Sequence, residues 1–258
     1  MSKRVSFLLV GVQKSGTTTL HSYLNDHPQI LMARKKEVHF FNSEQFFLNA
    51  KNAEPDYEYY HSWFDNTHNN DNRLRGEATP AYLYCRDAAV RIWQYNPAMK
   101  IIIILRNPIE RAFSHWNMEV NRGAETLSFK NALIKESQRC QEALPLQHYV
   151  YSYLDRGFYS SQIREYLRCF GKEQVLVLKY DDLQDKPVAL LKELFTFLEL
   201  EITDKMKAEY GSHKKILHQA KYTASIDKYS YQFMLKRYKH EILLLESMLN
   251  WDCSSWFK

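Results

Sequence analysis

The apolar positions fall into short runs set between stretches of helical periodicity. Val5 to Val10 is a compact run of strand length, and Thr17 to Asn25 carries a helical pattern directly after it. Gln29 to Met32 predicts a second, short strand. The strongest signal is Lys100 to Leu105, where four isoleucines and a leucine follow one lysine. Such a run predicts a strand buried on both faces, as central strands of parallel sheets are. Asn107-Pro108 then opens a helix, with Asn as N-cap and Pro at the first position. Further helices are predicted over 127–139, 146–155, 159–170 and 187–198, with a strand at Val175 to Leu178. A long amphipathic helix over 228–249 precedes an aromatic tail ending in Trp256-Phe257. The polar stretch Asn66 to Asp71 reads as a loop. Strands separated by helices predict the α/β class, a three-layer sandwich around a mainly parallel central sheet. No internal repeat, low-complexity tract or Pro/Ser-rich linker interrupts the chain, so residues 1–258 read as a single domain.

Composition narrows the partners. The 258 residues are 45% apolar and 25% charged, as a globular chain is. Seven glycines are under half the usual frequency of about 7%, so each one carries more information. The longest wholly apolar run, Ile101 to Leu105, falls far short of the roughly 20 residues a membrane span needs. The apolar stretch after the basic Met1–Arg4 start is too short for a signal peptide. Cys85, Cys140, Cys169 and Cys253 are far apart and form no CxxC pair, and His21, His27, His61, His68 and His115 show no metal spacing. The expectation is therefore no metal, no membrane and a reducing, cytoplasmic location. A net charge of +5, with no basic run beyond Arg34-Lys35-Lys36, gives no case for nucleic acid but is compatible with one small anionic ligand.

Candidate chemistry begins at Gly11-Val12-Gln13-Lys14-Ser15-Gly16-Thr17-Thr18, between a strand and a helix. Glycines at that junction make a nest of backbone N–H groups at a positive helix terminus, which suits a phosphate or sulfate. The glycine spacing fits the pattern GxxxxGK[ST], but Thr17 stands where the lysine should be and the lysine lies inside the loop at Lys14. The second buried strand is followed by Arg106 rather than an Asp. An Arg there repels Mg²⁺ and attracts a second anion. The two features read as a site for a nucleotide with two separated anionic groups and no metal. Taken singly, the loop also reads as a tight turn and Arg106 as an ordinary ion-pair residue. Lys36-Glu37-Val38-His39-Phe40-Phe41 supplies a carboxylate and an imidazole at i and i+2, which point to the same side if the segment is extended. They suit proton abstraction, or else are a surface Glu and a satisfied His beside an aromatic cluster.

Lys14 to Leu20 resembles the 5′-phosphosulfate loop of sulfotransferases that use 3′-phosphoadenosine 5′-phosphosulfate (PAPS). Leu105-Arg106-Asn107-Pro108-Ile109-Glu110-Arg111-Ala112-Phe113-Ser114 resembles the 3′-phosphate motif of the same family. Gly157-Phe158-Tyr159 through Phe170 to Asp182-Leu183 and the Trp256 ending are also similar, so the resemblance spans essentially the whole chain. It is nearest the branch holding heparan sulfate, nodulation and bacterial natural-product sulfotransferases, and it implies a P-loop-type sandwich. It also implies that Lys14, Ser15, Gly16, Thr17, Thr18 and Thr19 hold the phosphosulfate, and that Arg106 and Ser114 hold the 3′-phosphate. Arg111 reads as a structural ion-pair partner. KEVHFF resembles a KExHFF segment in which the Glu is the base, which implies Glu37 as base, His39 assisting and Lys14 stabilising charge. Glu37, His39, Phe40 and Tyr82 are the candidate acceptor-side residues, Tyr82 being equally a core tyrosine. Gly76-Glu77-Ala78-Thr79-Pro80-Ala81-Tyr82 resembles GEKTPxY, but Ala78 replaces a Lys that lines the site in glycosaminoglycan-modifying members. That departure argues against an anionic polymer acceptor. Ser212-His213-Lys214-Lys215 is the candidate for a basic loop over the cofactor, with a solvated basic turn as the other reading.

The expectation is a PAPS-dependent sulfotransferase acting in line on a hydroxyl or nitrogen of a small molecule, such as a bacterial alkaloid or polyketide, and releasing 3′-phosphoadenosine 5′-phosphate (PAP). An oligosaccharide or glycolipid is the alternative acceptor. A small-molecule kinase or a non-catalytic PAPS/PAP-binding protein is the alternative of another class. Oligomeric state leaves no trace in the sequence.

Overall fold

The computed structural model describes residues 4–47, 54–64, 72–203, 206–208 and 225–258. The polar stretch 66–71 and the basic stretch 212–215 lie outside them. Five strands are β1 (Phe7–Gly11), β2 (Ile30–Met32), β3 (Leu74–Ala78), β4 (Lys100–Leu105) and β5 (Val175–Lys179). The helices used below are, in chain order, α1 (Thr17–Asn25), α2 (Tyr57–His61), α3 (Ala88–Tyr95), α4 (Pro108–Asn121), α5 (Phe129–Glu142), α6 (Tyr159–Phe170), α7 (Tyr180–Asp185), α8 (Pro187–Phe197) and α9 (Lys228–Leu249). The chain divides into two compact units, residues 1–105 with 165–217, and residues 106–164 with 218–258.

The first unit holds the sheet, with strand order β2-β3-β1-β4-β5 and every pair parallel. The isoleucine run of β4 lies between β1 and β5, paired Leu9 to Ile102 on one side and Ile102 to Leu176 on the other. Its five apolar side chains are fully buried, which is why the run shows no alternation. Lys100 at its start donates to the Phe197 carbonyl and to Glu199, both at 2.7 Å. Leu20, Tyr23 and Leu24 of α1 and Leu190, Leu191, Leu194 and Phe195 of α8 pack with Phe7, Leu9, Ile102 and Ile104 in one core. The sheet confirms the α/β P-loop-type class.

β3 has no apolar signature in the sequence. Leu74-Arg75-Gly76-Glu77-Ala78 is a strand because β1 and β2 both pair with it. Gly76 is required there: a Cβ would come within 2.0 Å of the ring of Phe7, its register partner. Arg75 and Glu77 are nonetheless buried.

The second unit is helical. α4 starts as its sequence predicts, with the Asn107 side chain accepting from Ile109 N at 2.9 Å and Pro108 in the first turn. Ser128 caps α5 and Asp227 caps α9. Trp256 is buried and its carbonyl accepts from Asn107 Nδ2 at 3.4 Å, so the aromatic tail belongs to this unit's interior. The helix predicted over 146–155 does not form. Side chains take the N–H groups a helix would have used: His148 Nδ1 accepts from Val150 and Tyr151, and Glu136 accepts from Leu154 and Asp155. A short 3₁₀ turn, Asp155–Gly157, follows. Among the described residues no helix is long and apolar enough to cross a membrane.

Candidate active site

The Lys14–Thr17 loop joins β1 to α1. Gly16 caps the helix with φ 79° and provides no side-chain hydrogen bond to the first turn. Among the described residues the first N–H groups of α1 therefore have no intrahelical partner and no N-cap side chain, and they carry the positive end of the helix dipole. Lys14 is also left-handed, at φ 74°. An alanine at position 16 would place its Cβ 2.8 Å from the ring of Tyr180. Ser15 is fully buried, and its hydroxyl has no hydrogen-bond partner among the described residues. A buried orphan hydroxyl is costly, and beside an open helix terminus it suits an anionic oxygen. Lys14, Gly16 and Thr18 are partly exposed, whereas Thr17 and Thr19 are buried on the inner side of α1. The loop thus fits a phosphate or sulfate group.

Glu37 and His39 come together, but not on an extended segment. Both have left-handed backbone, φ 66° and 59°, and each such non-glycine residue costs about 1–2 kcal/mol. The reason is where their N–H groups go: Glu37 N donates to the Ala78 carbonyl at 3.0 Å and His39 N to Thr79 Oγ1 at 3.4 Å. This folds the segment against the end of β3. His39 Nε2 then lies 3.5 Å from Glu37 Oε2, and Lys36 Nζ lies 2.8 Å from Glu37 Oε1. His39 Nδ1 is 3.3 Å from Asn42 Oδ1. Partial burial pushes the Glu37 carboxyl up, but the hydrogen bond from His39 and the charge of Lys36 outweigh it and bring it down to about 2. The Lys36 charge also reaches His21 on α1. Burial, with that charge second, lowers the His21 imidazole to about 4.

Phe40 and Tyr82, expected on the acceptor side, are instead interior. Both are fully buried. The Phe40 ring stacks on Tyr60 and Phe46, with centroids 4.9 and 4.8 Å apart. The Tyr82 hydroxyl accepts from Phe40 N at 3.0 Å and donates to Glu77 at 3.1 Å. Neither side chain is available to touch an acceptor. Ala78 packs in the core with its methyl group where the resemblance has a lysine.

Glu77 is the ionisable group that the sequence did not single out. It is fully buried and accepts from the hydroxyls of Thr79, Tyr60 and Tyr82. Burial pushes its carboxyl up against the pull of those three donors, and it pushes the Tyr60 and Tyr82 hydroxyls well above the ordinary tyrosine range.

In the second unit Arg106 follows β4 directly. Its Nε and Nη2 donate to Glu110 Oε2 at 3.0 and 2.8 Å, and its carbonyl accepts from the Tyr159 hydroxyl at 3.0 Å. Ser114 lies on α4, which begins two residues after Arg106, and is buried. Arg111, expected in an ion pair, is fully buried with Nη2 donating to the Tyr153 carbonyl, and no described carboxylate is within ion-pair distance of it. Its charge is felt at longer range by Glu136, which burial pushes up to about 7.

The first unit thus holds a glycine-turned loop at the start of α1 that fits an anion, and a carboxylate–imidazole pair at the end of β3. The sulfotransferase domain family matches residues 5–241, and the chain belongs to that family. It is 26% identical to the membrane-associated sulfotransferase kil1 of Dictyostelium discoideum, over 81% of this chain and 58% of that protein. It is 30% identical to the human bifunctional heparan sulfate N-deacetylase/N-sulfotransferase 3, over 74% of this chain and 22% of that protein. The chain therefore corresponds to less than two thirds of either relative. The crystal structure of a sulfotransferase from Alicyclobacillus acidocaldarius superposes with a TM-score of 0.81 at 28% identity, covering 99% of this chain and all of that one.

Proposed function

We propose that this chain transfers the sulfuryl group of PAPS to a hydroxyl or nitrogen of a small-molecule acceptor, and that residues 1–258 act as one sulfotransferase domain. The observation that carries this reading is the Lys14–Thr17 cradle, with its glycine-capped helix terminus and buried, unpartnered Ser15 hydroxyl. When bound, PAPS supplies a sulfuryl group activated by its anhydride link to phosphate. Lys14, Ser15, Gly16, Thr17, Thr18 and Thr19 hold the phosphosulfate end, where backbone N–H groups and the Lys14 ammonium stabilise negative charge as it grows. Arg106 and Ser114 hold the 3′-phosphate, which turns binding energy remote from the reacting atoms into orientation.

Glu37 takes the proton of the acceptor and His39 orients it. At about 2 the Glu37 carboxyl is ionised at neutral pH but weakly basic, whereas an efficient base lies nearer the working pH. An acceptor that displaces Lys36 or water from Glu37 strengthens the base as it binds. Position 78 offers a polyanionic chain no cation, since Ala78 is packed in the core, and a bacterial alkaloid or polyketide fits an acceptor that needs none. The heparan sulfate activity in a relative's name makes an oligosaccharide or glycolipid hydroxyl the second class to test. Four cysteines without a disulfide fit a reducing compartment such as the cytoplasm.

The test is incubation with PAPS in EDTA and a panel of phenolic, alkaloid, polyketide and oligosaccharide acceptors, read by mass spectrometry for sulfated product and PAP. Product from one class, abolished by Glu37→Gln, is expected. No turnover of PAPS with any class, together with ATP and Mg²⁺ consumption, would overturn the reading in favour of a kinase.

A further inference from the structure

We infer that Glu77, Thr79 and Tyr82 are positioning residues for the Glu37–His39 pair: the buried Glu77 carboxylate orients two hydroxyls that clamp the main-chain N–H groups of His39 and Phe40. The inference rests on the reading of Glu37 as proton acceptor, and it names groups that reach neither substrate nor cofactor.

Two relays run in the same direction. In one, His39 N donates to Thr79 Oγ1 at 3.4 Å and that hydroxyl donates to Glu77 Oε1. In the other, Phe40 N donates to the Tyr82 hydroxyl at 3.0 Å and that hydroxyl donates to Glu77 at 3.1 Å. Each hydroxyl accepts one bond and donates one, which fixes its rotor. Tyr60 adds a third donor at 2.9 Å. Three donated hydrogens favour the ionised carboxylate against the burial that raises it. In a site closed to water these bonds polarise one another. A carboxylate behind the hydroxyls makes them better acceptors for the N–H groups in front.

That strength has a purpose in the local geometry. Glu37 and His39 are both left-handed without being glycine, and such residues persist only where their surroundings over-determine them. Phe40 and Phe41 hold the far side of the segment in an aromatic cluster with Tyr60 and Tyr82. The clamp holds the near side. Between them the Glu37 carboxylate and His39 imidazole stay within 3.5 Å. Loosening the clamp lets the backbone relax toward ordinary φ values and separates the pair.

The experiment compares Thr79→Val, Tyr82→Phe and the conservative Thr79→Ser, in the full chain. Carboxyl-carbon NMR follows Glu37 from about pH 3 upward, PAP affinity is measured by calorimetry, and kcat and KM are measured with the best acceptor of the panel. In the wild type Glu37 does not titrate in that window. In Thr79→Val and Tyr82→Phe its midpoint rises into the window toward 4.5, kcat falls about 10- to 100-fold, and PAP affinity is unchanged. Thr79→Ser restores the wild-type titration. A merely structural role lowers Tm but leaves the Glu37 midpoint alone, and that result in both variants would overturn the inference. If the wild type turns over no acceptor, the proposed function fails while the Glu37 titration still reads the clamp. Should Thr79→Val fail to fold, Tyr82→Phe, which loses a single oxygen, decides.

Discussion

Two loops of the sheet-bearing unit force non-glycine residues into left-handed backbone, and they hold them by different means. The Lys14–Thr17 loop uses the main chain: Gly16 turns the corner, α1 begins at once, and no side chain of the N-cap residue takes the N–H groups of the first turn. The Lys36–Phe41 loop uses side chains from elsewhere. Thr79, Tyr82 and Tyr60 gather on Glu77, and an aromatic cluster closes behind them. An anion site needs N–H groups and little else, so a short contiguous stretch can encode it. A carboxylate–imidazole pair held against strain needs a scaffold, and that scaffold is assembled from residues up to about 40 positions apart.

The comparison is sharpened most by removing the proposed proton acceptor. Glu37→Gln keeps the cradle and loses the base, so kcat should fall about 10²- to 10⁴-fold while PAP titrates as in the wild type. A loss of PAP affinity instead would put Glu37 on the binding side. Gly16→Ala breaks the other loop. Its Cβ meets the Tyr180 ring at 2.8 Å and its φ of 79° costs about 1–2 kcal/mol, so calorimetry should show PAP binding weakened at least about tenfold together with a lower Tm.

Arg106 gives an intermediate effect. Arg106→Ala should remove the charge-assisted hydrogen bond proposed to the 3′-phosphate, worth about 1.5–3 kcal/mol, or about 10- to 100-fold in PAP affinity. Glu110→Gln removes the carboxylate that now holds the guanidinium at 2.8 Å, and should tighten PAP by a small factor, about two- to fivefold, because that pair is exposed on the Glu110 side. The smallest effect is on pH dependence. The Glu37 carboxyl is depressed to about 2, so its ionised form persists as pH falls until that value is reached. Lys36→Met removes one of the depressing charges, and the acid limb of kcat/KM should move to higher pH. An unmoved limb would mean that another group sets it.

The parts of the fold that sequence patterning captures are those held by local rules. The isoleucine run became β4, and Asn107-Pro108 became the cap and first turn of α4. The strand-to-helix glycines became the cradle. β3 escaped because its pairing partners, not its composition, make it a strand, and its Gly76 makes sense only once the Phe7 ring is beside it. Glu77 escaped for a related reason: a Glu inside a strand reads as solvent-facing until the hydroxyls of Tyr60, Thr79 and Tyr82 are seen to surround it. The convergence of Glu37 and His39 was legible, but its cause was not, since spacing suggests an extended segment and the backbone is left-handed. The predicted helix over 146–155 failed because His148 and Glu136 captured the N–H groups it needed.

The central proposal is that the chain binds PAP, whose two separated anionic groups are assigned to the Lys14–Thr17 loop and to Arg106. Calorimetric titration of the full chain with PAP in EDTA, with ADP as the control, tests it most directly. Binding of PAP at micromolar or tighter affinity, absent for ADP and weakened by Arg106→Ala, is the predicted result. Equal binding of PAP and ADP, or binding of ATP with Mg²⁺ in place of PAP, would contradict it.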